Sequence, residues 1–198
     1  LEFGETHDTP AAIAADLAIL GLYFAMRSCE NTTTPKPERT KTVSMSGVVF
    51  LDSKKREIPQ GHPGLALAAH VTLTFEDQKN RAKNDKRSQK RTDDPALCPV
   101  RRAASLIERI RRLVPEFTGA TTINDYGHQT NQGRTVTLQL ASGYLRSQLR
   151  HACSSLGGKQ VFGFDSADIG TKSIWSGAAM GLFLANHSTE RIMLVGRW

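Results

Sequence analysis

Cysteine is scarce and unpatterned. Cys29, Cys98 and Cys153 are odd in number, far apart and without a CxxC pair, which argues against a disulfide framework or a zinc site. Long apolar runs are also missing. The most apolar stretch, residues 11–26, is short for a bilayer crossing, contains Asp16 and ends at Arg27, so it reads as a buried helix and no membrane partner is expected. No basic segment precedes it and no small-residue cleavage site follows, so it does not read as a secretory leader. An intracellular protein is expected, nuclear in a eukaryote and otherwise cytoplasmic, and the sequons at Asn31 and Asn186 are then coincidental. Internal repeats are absent, as are the glycine patterns of Walker and Rossmann sites and the aromatic-glycine signatures of common RNA-binding sheet domains. The chain starts at Leu1 and stops at Trp198 without a polar tail, which reads as a fragment.

What is present is basic. The 198 residues suffice for one domain with a real core, and 26 Lys and Arg against 19 acidic residues give a net charge of +7. That balance favours a polyanionic partner.

Thr9 followed by Pro10 opens a helix in which Ile13, Leu17, Leu20 and Phe24 recur at helical spacing up to about Arg27. Pro35 and Pro37 interrupt the chain, residues 42–51 suggest a strand, and residues 70–75 alternate as a second. Residues 78–91 set seven basic side chains against one acid and read as a charged loop leading to a short third strand that closes a hairpin. Leu97, Val100, Ala104, Ile107, Ile110 and Val114 mark an amphipathic helix, whose other face carries Arg101, Arg102, Arg109 and Arg112, either simply solvated or turned to a polyanionic partner. Residues 121–134 are polar and aperiodic, reading as a long connection or as the boundary between lobes 1–120 and 135–198 of one domain spanning 1–198. A helix over 142–156 places Leu145, Leu149 and Ala152 on one side and Arg146 and Arg150 on another, and Gly157 with Gly158 ends it. Residues 172–185, apolar almost all round, are expected to form the most buried helix, and Ser188 caps a last short one with Glu190 in its first turn. The expected class is α+β, mainly helical with a small antiparallel sheet.

Two segments carry a family resemblance. Ala25-Met26-Arg27-Ser28-Cys29-Glu30, at the end of the first helix, resembles the first arginine box of the tyrosine recombinases (the phage-integrase family), where Glu follows Arg by three residues. Lys172-Ser-Ile-Trp-Ser-Gly-Ala-Ala-Met and Ile192-Met-Leu-Val-Gly-Arg-Trp198 resemble the second box and the Gly-x-His/Trp turn. They occur in the family's order, and Lys172 and Trp198 stand 26 positions apart, about what a helix, a turn and a short helix require. The resemblance runs discontinuously from about Thr9 to Trp198.

It implies a catalytic domain that acts on double-stranded DNA in recombination and integration. The reaction transfers a phosphodiester to a tyrosine hydroxyl, giving a 3′-phosphotyrosine and a free 5′-hydroxyl, and needs no metal or nucleotide cofactor. Active relatives work as tetramers, so a homo-oligomer on DNA is the corresponding expectation. Arg27 matches a guanidinium that steadies charge on the non-bridging oxygens, with Glu30 orienting it or buttressing the helix end. Lys79 follows the second strand and matches the general acid for the leaving 5′-oxygen, with Lys83 or Lys86 replacing it if the hairpin register differs. Lys172 takes the place of a phosphate-binding His, and Trp198 that of the ring N–H donor in the final turn. Lys79, Arg81, Lys83, Lys86, Arg87 and Arg150 are the residues expected to grip DNA, mainly through phosphates.

The chain departs from the pattern at Trp175, where the family's second arginine would stand. Its loss removes a charge and a two-pronged donor, worth about two to three orders of magnitude in rate or more. The nucleophilic tyrosine would lie beyond Trp198, and Tyr23, Tyr126 and Tyr144 sit in the wrong places to replace it. The expectation is therefore a DNA-binding fragment of a mobile-element recombinase, inactive as given. The alternative is a non-enzymatic DNA-binding module derived from the same fold.

Overall fold

The structure, a computed structural model, describes residues 8–35, 40–78 and 83–197. The fold is α+β, with small antiparallel sheets among seven α-helices of the described residues. Helix α1 (Pro10–Tyr23) starts as the sequence predicts: Pro10 occupies the first turn and the Thr9 hydroxyl accepts from the Ala12 N–H at 3.2 Å. It stops short of Arg27. The Met26 N–H reaches back to the Gly21 carbonyl at 2.8 Å, and Ala25 turns left-handed at φ 46°, a conformation that glycine usually supplies at a helix end. Arg27 then caps a new single turn, α2 (Ser28–Asn31).

Strands β1 (Val48–Leu51), β2 (Glu57–Ile58), β3 (His70–Asp77) and β4 (Lys83–Lys90) form an antiparallel sheet in the order β2-β1-β3-β4. The strand expected over 42–51 is shorter, because a 3₁₀ turn at Met45–Gly47 precedes it. The basic segment expected as a loop before a strand is itself the strand: β4 takes in Lys83–Lys90 and pairs Lys86 with Thr74 and Arg87 with Leu73. Period-2 exposure explains this, since alternate side chains face outward and need not be apolar.

Helix α3 (Pro99–Leu113) buries Val100, Ala103, Ala104, Leu106, Ile107 and Ile110 against α1 and the sheet. Its arginines do not form one outward face. Arg109 is only 3% exposed, and with Arg102 it turns to Asp16 of α1, each pair closing at 3.1 Å. A carboxylate on the buried stripe of α1 has to be paired, and α3 supplies the partners.

The polar stretch 121–134, expected as a connection, holds half of a second hairpin: β5 (Asp125–Gln129) pairs with β6 (Thr135–Gln139). Strand β5 has no apolar alternation to read, whereas Val136 and Leu138 of β6 and Leu140 just after it alternate with polar residues, and Gly127 lets β5 lie directly on the Leu113 carbonyl. Beyond it come α4 (Ser142–Ser155), α5 (Gly158–Phe162), α6 (Lys172–Leu184) and α7 (Thr189–Gly196). Gly157 ends α4 at φ 105°, and the Ser188 hydroxyl caps α7 by accepting from Arg191 N–H at 3.3 Å, both as the sequence predicts.

Helix α6 departs from expectation. Only Ala178 is buried, while Met180, Phe183 and Leu184 are 56%, 63% and 72% exposed, because a single face of the helix, around Ile174 and Gly177, meets α1. The hydrophobic core is one cluster running from Ile13 through the sheet and α3 to Leu145. Among the described residues no helix is long and apolar enough to cross a membrane.

Candidate functional site

Ending α1 at Tyr23 leaves carbonyls that no later turn of helix satisfies. Arg197, just past the end of α7, supplies the donors: its Nη1 donates to the Phe24 carbonyl at 2.8 Å and its Nη2 to the Ala25 carbonyl at 3.1 Å. The same Nη2 meets Glu30 Oε2 at 2.5 Å, with both side chains essentially fully buried. Its guanidinium also lies over the Phe75 ring, 3.9 Å from the centroid. Burial pushes Arg197 below the ordinary guanidinium range, and the Glu30 carboxylate pulls it back up.

Glu30 serves two arginines. Its Oε2 also accepts from the Arg27 backbone N–H at 2.8 Å, the reciprocal bond of a helix cap, and its Oε1 accepts from Arg27 Nη1 at 3.3 Å. Arg27 Nη2 closes the circuit on the Arg197 carbonyl at 2.9 Å. Of the three side chains only Arg27 reaches solvent, at 20% exposure, against 0% for Glu30 and 1% for Arg197. The result is a fixed, partly exposed guanidinium standing on a buried acid–base pair. The first and last motif segments, 170 positions apart between Arg27 and Arg197, thus meet in space.

The remaining expected residues fall into three groups. Lys79, Arg81 and Trp198 lie outside the described residues. Lys83, Lys86 and Arg87 all sit on β4, but on two faces: Arg87 shares the inner one with Asp85 and Gln89, and Lys86 shares the outer one with Ser88 and Lys90. Arg87 is held by Asp85 (Nη2 to Oδ2, 3.0 Å), and Gln78 Nε2 donates to the same carboxylate oxygen at 3.2 Å. Lys172 and Arg150 bracket the start of α6. Lys172 is its exposed first residue, while Arg150 donates Nε to the Ile169 carbonyl at 2.8 Å and Nη2 to the Ala167 carbonyl at 2.5 Å, fixing the turn before it. Trp175 is half-buried on α6.

Sequence reasoning passed over Arg197 and Asp85. Arg197 stood inside the Gly-Arg-Trp segment, where only the tryptophan had a chemical role, and its signal was an acid at position 30 with a single nearby cation to share. Asp85 is the lone acid of the basic strand, a position where an unpaired carboxylate would be unexpected. Among the described residues no cluster of His, Cys, Asp and Glu could hold a metal ion.

No protein-family model matches the chain, and no curated protein sequence matches it.

Proposed function

We propose that the chain is a DNA-binding domain related to the catalytic domain of tyrosine recombinases, gripping the phosphodiester backbone of a duplex with Arg27 at the centre of its contact surface. The observation that carries the reading is the meeting of the two motif segments at the Arg27–Glu30–Arg197 brace, which leaves one rigid guanidinium facing solvent. A preorganised arginine of that kind suits a phosphate oxygen, because no side-chain freedom is lost on binding. Lys83, Lys86 and Lys90 on the neighbouring hairpin supply further charge for phosphate contacts.

Trp175, half-buried on α6 where the resemblance implies a second arginine, favours a binding module over an active strand transferase. The test is a labelled duplex titrated across a salt series. Log affinity should fall linearly with log salt, with Lys86→Ala reducing the slope by about one phosphate contact and Arg27→Ala weakening binding further. No binding at low salt, or an affinity indifferent to salt, refutes the reading. An oligomer that forms only on DNA would show in the same titration as a cooperative isotherm.

A further inference from the structure

The missing second arginine raises the question of whether another cation reaches the same anion. On β4 the register pairs Leu73 with Arg87 and Phe75 with Asp85, so Arg87 and Asp85 lie on the sheet face that carries the Phe75 ring. Arg197 stacks on that ring, and the charges of Glu30, Arg27 and Asp85 all act on it. Gln89, on the same face, donates Nε2 to the Tyr23 carbonyl at 2.6 Å and so fixes β4 against the end of α1. The inner face of β4 and the Arg27 brace are therefore parts of one charged layer.

Within that layer each acid lies deeper than its outward arginine. Glu30 is 0% exposed behind Arg27 at 20%, and Asp85 is 24% exposed behind Arg87 at 33%. Asp85 immobilises Arg87 through Nε at 3.1 Å and Nη2 at 3.0 Å, and Nη1 has no partner among the described residues. Arg27, Arg87 and Arg197 against Glu30 and Asp85 leave the layer with one positive charge in excess, which a single monoanionic phosphodiester neutralises.

We propose that Arg87, rather than any residue of the α6 box, is the second guanidinium of the phosphate site, and that Arg27 and Arg87 together hold one phosphodiester. The assignment rests on the reading of Arg27 as a phosphate-facing group. It separates Arg87 from Lys86, its neighbour in sequence, which faces the other way and so meets other phosphates of the duplex rather than this one. Lysine does not replace a guanidinium that must stay docked on Asp85 while donating to a phosphate oxygen.

The experiment is titration of the full chain with dimethyl phosphate, following the arginine Nε–Hε resonances by NMR, with Arg27→Lys and Arg87→Lys assigning the two signals. The Arg27 and Arg87 signals should move together along one saturable curve. Arg87→Lys should weaken binding about tenfold, the worth of roughly one charge-assisted hydrogen bond, and Lys86→Ala less than about twofold. If the wild-type Arg87 signal stays fixed while Arg27 moves, or if neither moves, the proposal is overturned. It is equally overturned if Lys86→Ala weakens binding as much as Arg87→Lys. If both signals move but the protein binds no duplex in the salt series, the two-arginine site stands and the DNA reading fails.

Discussion

Replacing Glu30 by glutamine removes the only negative charge from a position that is 0% exposed, leaving Arg197, itself 1% exposed, with neutral acceptors alone. The glutamine amide keeps one carbonyl oxygen but turns an NH₂ toward guanidinium N–H groups, so at least one of the three contacts made by the carboxylate becomes donor against donor. Breaking a buried ion pair by removing one partner costs about 3–5 kcal/mol, because the remaining charge stays buried and uncompensated. For a chain of this size each kcal/mol lowers Tm by about 2–4 °C, so Glu30→Gln should lower it by at least ~6 °C, with a matching fall in the urea midpoint. Arg27→Ala should cost much less, about 1 kcal/mol, since that guanidinium is partly solvated and its removal leaves Glu30 still paired with Arg197. Because the Glu30–Arg197 pair is buried, the loss should change little between low and high salt. Circular dichroism melts of the three proteins at two salt concentrations decide the matter. A loss below about 1 kcal/mol for Glu30→Gln, or equal losses for the two variants, would show that the brace does not hold the α1–α2 junction.

Three further perturbations follow from the fold. Asp16→Asn strips the carboxylate from Arg102 and from the buried Arg109, so about 3 kcal/mol or more should be lost in urea unfolding, and Asp16→Leu combined with Arg109→Met should recover most of it. Gly127→Ala places a Cβ on the Leu113 carbonyl group, a backbone clash that should cost about 1–3 kcal/mol or displace the β5–β6 hairpin, visible as amide shift changes along β5. His70 has its pKa lowered by burial first and then by Lys55 and Lys90. The native state therefore binds its proton less readily than the unfolded chain, and its contribution, full above the unfolded value of about 6.5, is lost as pH falls through the depressed native value. Replacement by glutamine should flatten the stability profile on the acid side of 6.5, and an NMR titration midpoint at or above that value would contradict the assignment.

Periodicity made much of the architecture legible. The start of α1, the apolar stripe of α3, the strand at 70–75 and the cap at Ser188 each rest on local chemistry that the sequence displays directly. What stayed hidden was decided by partners distant in sequence. Asp16 argued against a membrane span, yet its deeper meaning, that an acid on a buried stripe demands cations from elsewhere, identifies Arg102 and Arg109 only once α3 is laid against α1. The β5–β6 hairpin escaped notice because β5, Asp-Tyr-Gly-His-Gln, carries no apolar alternation; the alternation of Val136, Leu138 and Leu140 with Thr135, Thr137 and Gln139 was its legible signal, on the β6 side. At the candidate site Arg27 was legible as a motif residue, but the division of β4 into an Arg87 face and a Lys86 face depends on register, and a run of basic residues carries no register.

The brace also explains why a charge is buried at Arg197 at all. Apolar side chains usually serve a core as well as an ion pair does, or better. Here the left-handed turn at Ala25 ends α1 early and leaves the Phe24 and Ala25 carbonyls facing the interior, where methionine or leucine could fill space but donate nothing. A guanidinium answers both carbonyls and the Glu30 carboxylate with one planar group, and Phe75 covers its face. Stability and site geometry are therefore coupled through a single side chain. Any substitution that lets α1 continue past Tyr23 would remove the acceptors that hold Arg197, and with it the carbonyl that fixes Arg27. The early end of α1 is thus a condition for holding Arg27 fixed and partly exposed.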